Sequence, residues 1–263
     1  MKLSIKDKKT FDETGCVIVP NVISRKKAKE IRDKVESLAE SEKKHGDSYY
    51  YPFDKKGKTQ RVWNLLNKDK VFRDLIEFEI VDEFMNYIFE RDTTHQKYYL
   101  SSFQANILNP GAEKQRLHID TPVPEPLPLW PIKANSIWLL EDFTDINGAT
   151  EYLAGSHKFS FKPNEEHDKS TPLKKACGEA GSVLFTHGAL WHRAGANESL
   201  NPRIALLCSF AASYAREIAN EEDHSKVISD DVIENASPHL KKILGHGHGL
   251  KAGAFFDHTS ISD

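Results

Sequence analysis

Apolar positions recur with a helical period in the first third of the chain. A β-branched run over residues 15–20 predicts a strand. Beyond it, apolar residues spaced three and four apart predict a helix that begins at a cap on Ser24 and ends near Glu42. A second helical pattern extends from about Val71 to Phe89. We therefore expect residues 1–97 to form a mainly helical N-terminal part.

The pattern changes from Tyr98 onward, where short β-prone runs alternate with turns rich in Gly, Pro, Asn and Asp. These runs cover residues 98–108, 135–140, 150–153, 181–185 and 203–210. Strands at this spacing, with no helical pattern between them, predict a β-sandwich or barrel over residues 98–215. A polar helical pattern from about Asp223 to Leu244 predicts a helical tail within residues 216–263. Helices first and a β core second indicate a single α+β domain over residues 1–263.

Composition and charge narrow the classes of protein to which the chain can belong. Of its 263 residues 39% are apolar and 29% charged, a balance typical of a globular protein with a buried core. The net charge of −3 gives no electrostatic support for nucleic-acid binding. Three widely separated cysteines indicate a reducing compartment, and no apolar stretch approaches the roughly 20 residues of a membrane helix. We expect a cytoplasmic monomer or small homo-oligomer that binds a small molecule, with no nucleic-acid or membrane partner.

Two His-x-Asp motifs are candidates for metal binding. Residues two apart in a strand point to the same face, so a histidine and an aspartate at this spacing can reach one ion. The motif alone is weak, because 12 histidines and 18 aspartates predict roughly one such pair by chance. His45 and Asp47 lie in a charged stretch and are expected to be plain surface. His118 and Asp120 follow a predicted strand and an Asn-Pro-Gly turn at residues 109–111.

A second histidine and an arginine strengthen the case for His118 and Asp120. His192 follows another predicted strand and turn, and Arg203 begins the next strand. Two histidines and one carboxylate form the facial triad of non-heme iron(II) sites, which leaves coordination positions open. An arginine suits the remote carboxylate of a bound dicarboxylic acid. From its spacing alone, Arg203 is equally well a surface residue at the start of a strand.

Four blocks of the sequence, in this order, resemble the phytanoyl-CoA dioxygenase family over nearly the whole chain. The opening block is Phe11 to Ser24, and the last runs from Gly181 to His192 and is followed by Arg203. Between them, Gln115 to Asp120 resembles the first metal motif of the family, and Glu141 to Lys158 resembles its Asn-Gly…Gly-Ser-His signature. Four blocks in the right order are far more specific than any one alone.

The resemblance implies a double-stranded β-helix, or jelly-roll core, flanked by helices. It also implies iron(II) held by His118, Asp120 and His192, with 2-oxoglutarate and O₂ as co-substrates. The Thr150 hydroxyl is then expected to share the remote carboxylate of 2-oxoglutarate with Arg203, although threonine is also a common strand residue.

Three further positions bear on the resemblance. Gln115 is a candidate cofactor-binding residue, although its position favours a structural role. Ala154 stands where the family usually has a proline, and the loop over residues 121–131 is unusually proline-rich. Because this loop starts at Asp120, we expect it to border the mouth of the site.

The activity expected from these residues is hydroxylation of an unactivated C–H bond of a small molecule, with release of succinate and CO₂. Desaturation, epimerisation or cyclisation would use the same iron and oxygen chemistry and stay open. The presence of Asp120 argues against a halogenase, and a zinc hydrolase would give Arg203 no role. A binding or sensor protein on the same scaffold is the alternative from another class, since fold alone does not determine function.

Overall fold

The computed structural model describes residues 2–52, 54–90, 97–215 and 228–245. Its helices are α1 (Ile5–Thr14), α2 (Arg25–His45), α3 (Leu65–Lys68), α4 (Lys70–Ile76), α5 (Glu79–Ile88), α6 (Glu165–Ser170), α7 (Asp230–Glu234) and α8 (Pro238–Ile243). Its strands are β1 (Cys16–Val19), β2 (Tyr49–Tyr50), β3 (Thr59–Val62), β4 (Tyr98–Leu108), β5 (Lys133–Leu139), β6 (Thr150–Tyr152), β7 (Lys174–Ala176), β8 (Val183–His187), β9 (His192–Ala194) and β10 (Arg203–Ala212).

Helix α2 forms where the apolar period predicts it. The Ser24 side chain accepts a hydrogen bond from the Lys27 amide at the first turn, and Gly46 ends the helix in a left-handed conformation with φ +82°. The side chains that α2 buries recur on one face: Ala28, Ile31, Val35 and Ala39. The predicted helix is confirmed and extends one turn further, to His45.

The second helical pattern is two helices rather than one. The prediction of a continuous helix over residues 71–89 is wrong, because the chain turns at Glu77 and Phe78 between α4 and α5. Phe78 has an extended backbone, with φ −62° and ψ 132°, and its ring packs edge-on against Trp138 of β5 at 5.4 Å between centroids. This long-range aromatic contact accompanies a break that the local sequence does not signal with Gly or Pro.

In the described residues, ten strands form two antiparallel sheets. The large sheet has the order β1-β8-β5-β10-β4-β3-β2, and the small sheet has the order β7-β6-β9. Apolar side chains of both sheets pack into one cluster, among them Leu139 and Leu184 from the large sheet and Ala176 from the small one. The predicted α+β class with a jelly-roll core is confirmed, and the two sheets form a sandwich rather than a closed barrel.

The N-terminal helices cover the outer face of the large sheet. Phe84 of α5 stacks on Phe185 of β8 at 4.1 Å between ring centroids, and Phe11 of α1 meets Phe84 edge-on at 4.8 Å. The other face of the sheet is therefore left for the small sheet, and a cavity opens between the two. None of the helices in the described ranges has the length and apolar character needed to cross a bilayer.

The C-terminal tail is described only in part. Helices α7 and α8 lie inside the predicted helical tail, and α8 buries Leu240 and Ile243. The remainder of that prediction, residues 216–227 and 246–263, lies outside the described residues.

Candidate metal centre

Long-range backbone pairing brings His118 and His192 together. Each residue donates its amide to the carbonyl oxygen of the other at 3.0 Å, so they form an isolated antiparallel bridge next to the small sheet. Asp120 follows two residues later, and its amide donates to the Gly188 carbonyl at 2.8 Å. The turn between β8 and β9 therefore positions the segment that carries His118 and Asp120.

The three side chains converge on one point. The distance from His118 Nε2 to Asp120 Oδ1 is 3.7 Å, and the distance from His192 Nε2 to Asp120 Oδ2 is 3.4 Å. One ligand atom from each residue lies within 4.8 Å of the others. Ligands about 2.1 Å from an ion and at right angles to one another are roughly 3 Å apart. The three ligand atoms therefore surround a position where a single divalent metal ion can bind once they move closer together.

Backbone carbonyls select the tautomer of both histidines. His118 Nδ1 lies 2.8 Å from the Arg116 carbonyl oxygen, and His192 Nδ1 lies 2.9 Å from the Leu190 carbonyl oxygen. A carbonyl oxygen only accepts, so each Nδ1 carries the hydrogen and each Nε2 keeps its lone pair. Both Nε2 atoms point to Asp120, which is the arrangement that metal-binding histidines require.

The electrostatics of the three residues also suit a cation. Burial, reinforced by the neighbouring His192, lowers the pKa of His118 and favours the neutral imidazole. Burial acts to raise the pKa of Asp120, but the groups around it, first among them His192 and His118, hold that pKa below its usual value. A neutral imidazole beside an ionised carboxylate is the protonation state that a metal ion needs.

The three candidate ligands line a cavity of about 320 Å³ between the two sheets. Among the polar residues that line it are all those predicted to contact the co-substrate: Gln115, Thr150 and Arg203. Thr150 is 7% exposed on β6, and the Gln115 side-chain oxygen accepts from the Ala194 amide at 3.0 Å. This hydrogen bond ties Gln115 to β9. Gln115 therefore has a structural role, which the sequence allowed beside cofactor binding.

Arg203 is not a surface residue. It is 2% exposed at the start of β10, and its Nη2 donates to the Gly148 carbonyl at 2.6 Å. Its guanidinium carbon lies 4.6 Å from the centroid of the Phe143 ring. Within the described part of the chain, its buried Nε has no hydrogen-bond partner. Burial lowers the pKa of Arg203 to about 9 against the opposing influence of Glu141, so the group stays protonated at neutral pH.

Arg61 and Asn135 are among the cavity residues that the sequence did not predict. Arg61 of β3 is 7% exposed, donates from Nη1 to Gln104 Oε1 at 2.8 Å and lies over the Tyr51 ring at 5.2 Å. Asn135 of β5 donates from Nδ2 to Asp120 Oδ2 at 2.7 Å. The available signal for Asn135 was a polar residue two positions before the apolar Ile137, on the same face of β5. Arg61 follows a polar turn and reads locally as surface.

Two other histidines lie outside the centre. His45 is exposed at the end of α2, where its Nδ1 lies 2.7 Å from the Ser41 carbonyl oxygen. His187 is buried, and its Nδ1 accepts from the Ala189 amide at 3.0 Å. The ring of His187 faces His157 at 5.3 Å between centroids, and both histidines line a cavity separate from the one that the candidate metal ligands line.

The proline-rich loop does not border the cavity as expected. None of residues 121–131, all of which are described, lines the cavity around His118 and Asp120. The Leu127 amide donates to the Ser160 carbonyl at 2.7 Å, and Lys162 donates its amide to Glu125 Oε1 at 2.6 Å. These bonds tie the loop to the segment that follows β6.

The sequence is similar to known dioxygenases. The model of the family described as phytanoyl-CoA dioxygenase (PhyH) matches residues 11–205. Dioxygenase af480 of Aspergillus fumigatus is 28% identical over 257 residues, which cover 94% of this chain and 79% of af480. The predicted resemblance to this family is confirmed.

Solved structures share the fold at lower identity. HygX from Streptomyces hygroscopicus, crystallised with nickel and 2-oxoglutarate bound, has a TM-score of 0.63 and 20% identity, over 81% of this chain and 88% of HygX. The epimerase SnoN, in complex with Fe³⁺, α-ketoglutarate and nogalamycin RO, has a TM-score of 0.62 and 16% identity, over 78% of this chain and 82% of SnoN. Because the family match extends from within α1 to the start of β10, this chain belongs to the phytanoyl-CoA dioxygenase family.

Proposed function

We propose that this protein is an iron(II)- and 2-oxoglutarate-dependent dioxygenase that hydroxylates an unactivated C–H bond of a small molecule. One observation carries the proposal: a two-histidine, one-carboxylate cluster and a buried arginine face the same cavity. The cluster suits iron(II), and the arginine suits the far carboxylate of a dicarboxylic acid. The similar HygX structure holds nickel and 2-oxoglutarate, which supports a metal ion and 2-oxoglutarate as the ligands here.

In this proposal His118, Asp120 and His192 hold the iron, with both imidazoles oriented by backbone carbonyls. Bound iron supplies O₂ activation coupled to the oxidative decarboxylation of 2-oxoglutarate to succinate and CO₂. Arg203 binds the remote carboxylate of 2-oxoglutarate through donors that are already buried and therefore desolvated before the ligand arrives. The Thr150 hydroxyl and the Gln115 amide, which line the same cavity as Arg203, add polar contacts to 2-oxoglutarate.

A second cavity provides room for the primary substrate. Its volume is about 500 Å³, and it shares Tyr51, Gln115 and His118 with the cavity that holds the candidate ligands. We propose that the primary substrate enters through this second cavity and reaches the iron beside His118. A volume of this size suits a small organic molecule.

The proposal is tested by succinate formation at increasing concentrations of 2-oxoglutarate. Arg203→Met keeps much of the side-chain volume and removes the charge. Losing one partner of such a buried pair costs about 3–5 kcal/mol, so the half-maximal 2-oxoglutarate concentration should rise on the order of a hundredfold or more. Arg203→Lys should recover only part of the loss, because an ammonium cannot make two parallel hydrogen bonds.

Arg73→Met is the matched control for Arg203→Met. Arg73 is a half-buried arginine of α4 that donates to the Leu66 carbonyl, and it does not line either cavity. Its loss should leave the 2-oxoglutarate curve unchanged. If Arg203→Met also gives the wild-type curve, the co-substrate assignment is wrong.

Epimerisation is a second candidate outcome for the same site, favoured by the similarity to the epimerase SnoN. Both reactions begin with removal of a hydrogen atom from a C–H bond, and they differ in what is returned to the carbon. The mass of the product separates them, because hydroxylation adds one oxygen atom and epimerisation leaves the composition unchanged.

A further inference from the structure

An ion-pair network lies behind the candidate metal centre. Arg193 follows His192 in β9, is 7% exposed, and extends from the face of the small sheet opposite to the cavity. Its Nε donates to Glu151 Oε2 at 2.6 Å, and its Nη1 donates to Asp168 Oδ1 at 2.8 Å. One guanidinium therefore joins two carboxylates from different segments of the chain.

Asp168 connects this network to the other candidate histidine. The same Oδ1 atom that accepts from Arg193 also accepts from the Leu117 amide at 3.0 Å. Leu117 directly precedes His118, and Arg193 directly follows His192. A single carboxylate of α6 therefore holds the neighbours of both candidate imidazole ligands.

Glu151 extends the network to the co-substrate side of the site. It pairs with Arg193 in the register between β6 and β9, which also places Thr150 opposite Ala194. Because side chains alternate across a strand, Glu151 lies on the outer face while its neighbour Thr150 faces the cavity. The ion pair thus fixes the relative position of β6 and β9 from behind.

We propose that Glu151, Arg193 and Asp168 form a clamp that positions His118 and His192 for metal binding. The inference rests on the proposed iron-binding role of these histidines. The clamp residues are positioning residues, since none of them lines the cavity that the candidate ligands share. Their contribution is to prevent the His118 segment from separating from β9, which would move the two Nε2 atoms apart.

Iron(II) affinity, measured anaerobically by equilibrium dialysis, is the first test. Asp168→Ala removes both contacts of the carboxylate and should weaken iron binding roughly tenfold, as is usual when groups that orient metal ligands are lost. Asp168→Asn keeps an acceptor for the Leu117 amide and should recover part of this loss. The His118→Ala variant gives the baseline for iron bound elsewhere on the chain.

A matched control separates positioning from general stability. Glu42 forms a comparable half-buried ion pair with Lys68 on the helical side of the protein, with side chains 17% and 24% exposed. Glu42→Gln should lower the thermal midpoint about as much as Asp168→Asn and leave the iron affinity unchanged. If the two variants weaken iron binding equally, the clamp has no specific role.

Amide hydrogen exchange of the metal-free protein is the second test, and it does not depend on iron. The Leu117 amide should exchange faster in Asp168→Ala than in the wild type, while the amides in the centre of β4 and β10 keep their rates. Unchanged exchange at Leu117 together with wild-type iron affinity would overturn the clamp. If the wild type binds no iron, the proposed function fails, and the exchange rate at Leu117 still shows whether Asp168 holds that segment.

Discussion

The side chain of Asn135, in strand β5 of the large sheet, holds the carboxylate of Asp120 in place. Its Nδ2 donates to Asp120 Oδ2 at 2.7 Å and lies 3.1 Å from Thr186 Oγ1 on the adjacent strand β8. Asn135 is 7% exposed, so this amide is committed to its neighbours rather than to solvent. The carboxylate is therefore oriented by a rigid strand, although it sits in a loop.

We expect Asn135→Ala to weaken iron(II) binding by about 10–100-fold, because partners that orient a metal ligand typically contribute that much. The measurement is iron affinity under anaerobic conditions. Asn86→Ala is the control, since Asn86 is half-buried on α5 and donates to the Asp82 carbonyl at 2.9 Å, away from the site. Wild-type affinity in Asn135→Ala would show that Asp120 does not need this hydrogen bond.

The choice of histidine ligands is tested by single alanine variants. His118→Ala and His192→Ala should each lose most of the bound iron, because two remaining ligands hold a labile divalent ion poorly. His45→Ala should bind iron as the wild type does, since this side chain is exposed at the end of α2. Loss of iron in His187→Ala, combined with normal iron binding in His192→Ala, would show that His187 and not His192 is the metal ligand.

Protein stability should depend on pH through His187. Burial, with a smaller influence of His157, lowers the pKa of His187 to about 3. An unfolded histidine has a pKa of about 6.5, so between these values the unfolded chain binds the extra proton. Stability is therefore complete above pH 6.5 and falls as the pH drops, by at most about 1.4 kcal/mol per pH unit from this residue.

His187→Asn isolates that contribution, because asparagine does not titrate and its side-chain oxygen can still accept from the Ala189 amide. Urea unfolding of both proteins at pH 7, 6 and 5 gives the difference in free energy of unfolding. The wild type should lose stability more steeply than the variant toward pH 5. Parallel losses in the two proteins would mean that His187 is not held neutral.

Two glycines with left-handed backbones should respond differently to alanine. Gly46 has φ +82° with no neighbouring atom within 4 Å of an added Cβ, so Gly46→Ala should cost about 1 kcal/mol of backbone strain. Gly181 has φ +90°, and an added Cβ would collide with the Ile23 carbonyl oxygen. Gly181→Ala should therefore destabilise the protein several times more, as measured by urea unfolding. Equal effects of the two variants would contradict the close approach at Gly181.

Helix α2 and the longest strands were predictable because their signals are local. Ser24 and Gly46 satisfy the ends of α2, and the apolar period of α2 matches the face that it buries. Strand β9 could not be predicted in this way, since a strand of three residues is too short to show an alternation of polar and apolar positions. It is a strand because Tyr152 and His192 pair across the small sheet and His118 pairs on its other side. That pairing depends on segments far apart in the chain.

The candidate chemistry could be recognised without the fold, because two histidines, one aspartate and one arginine stand in blocks that resemble a single family. Residue type, order and spacing are local properties of the chain, and they single out His118, Asp120, His192 and Arg203. The burial of Arg203, and the presence of Arg61 and Asn135 in the same cavity, could not be predicted from local sequence. The direction of a strand side chain relative to an opposing sheet depends on long-range pairing and burial, and these are set only when the two sheets pack.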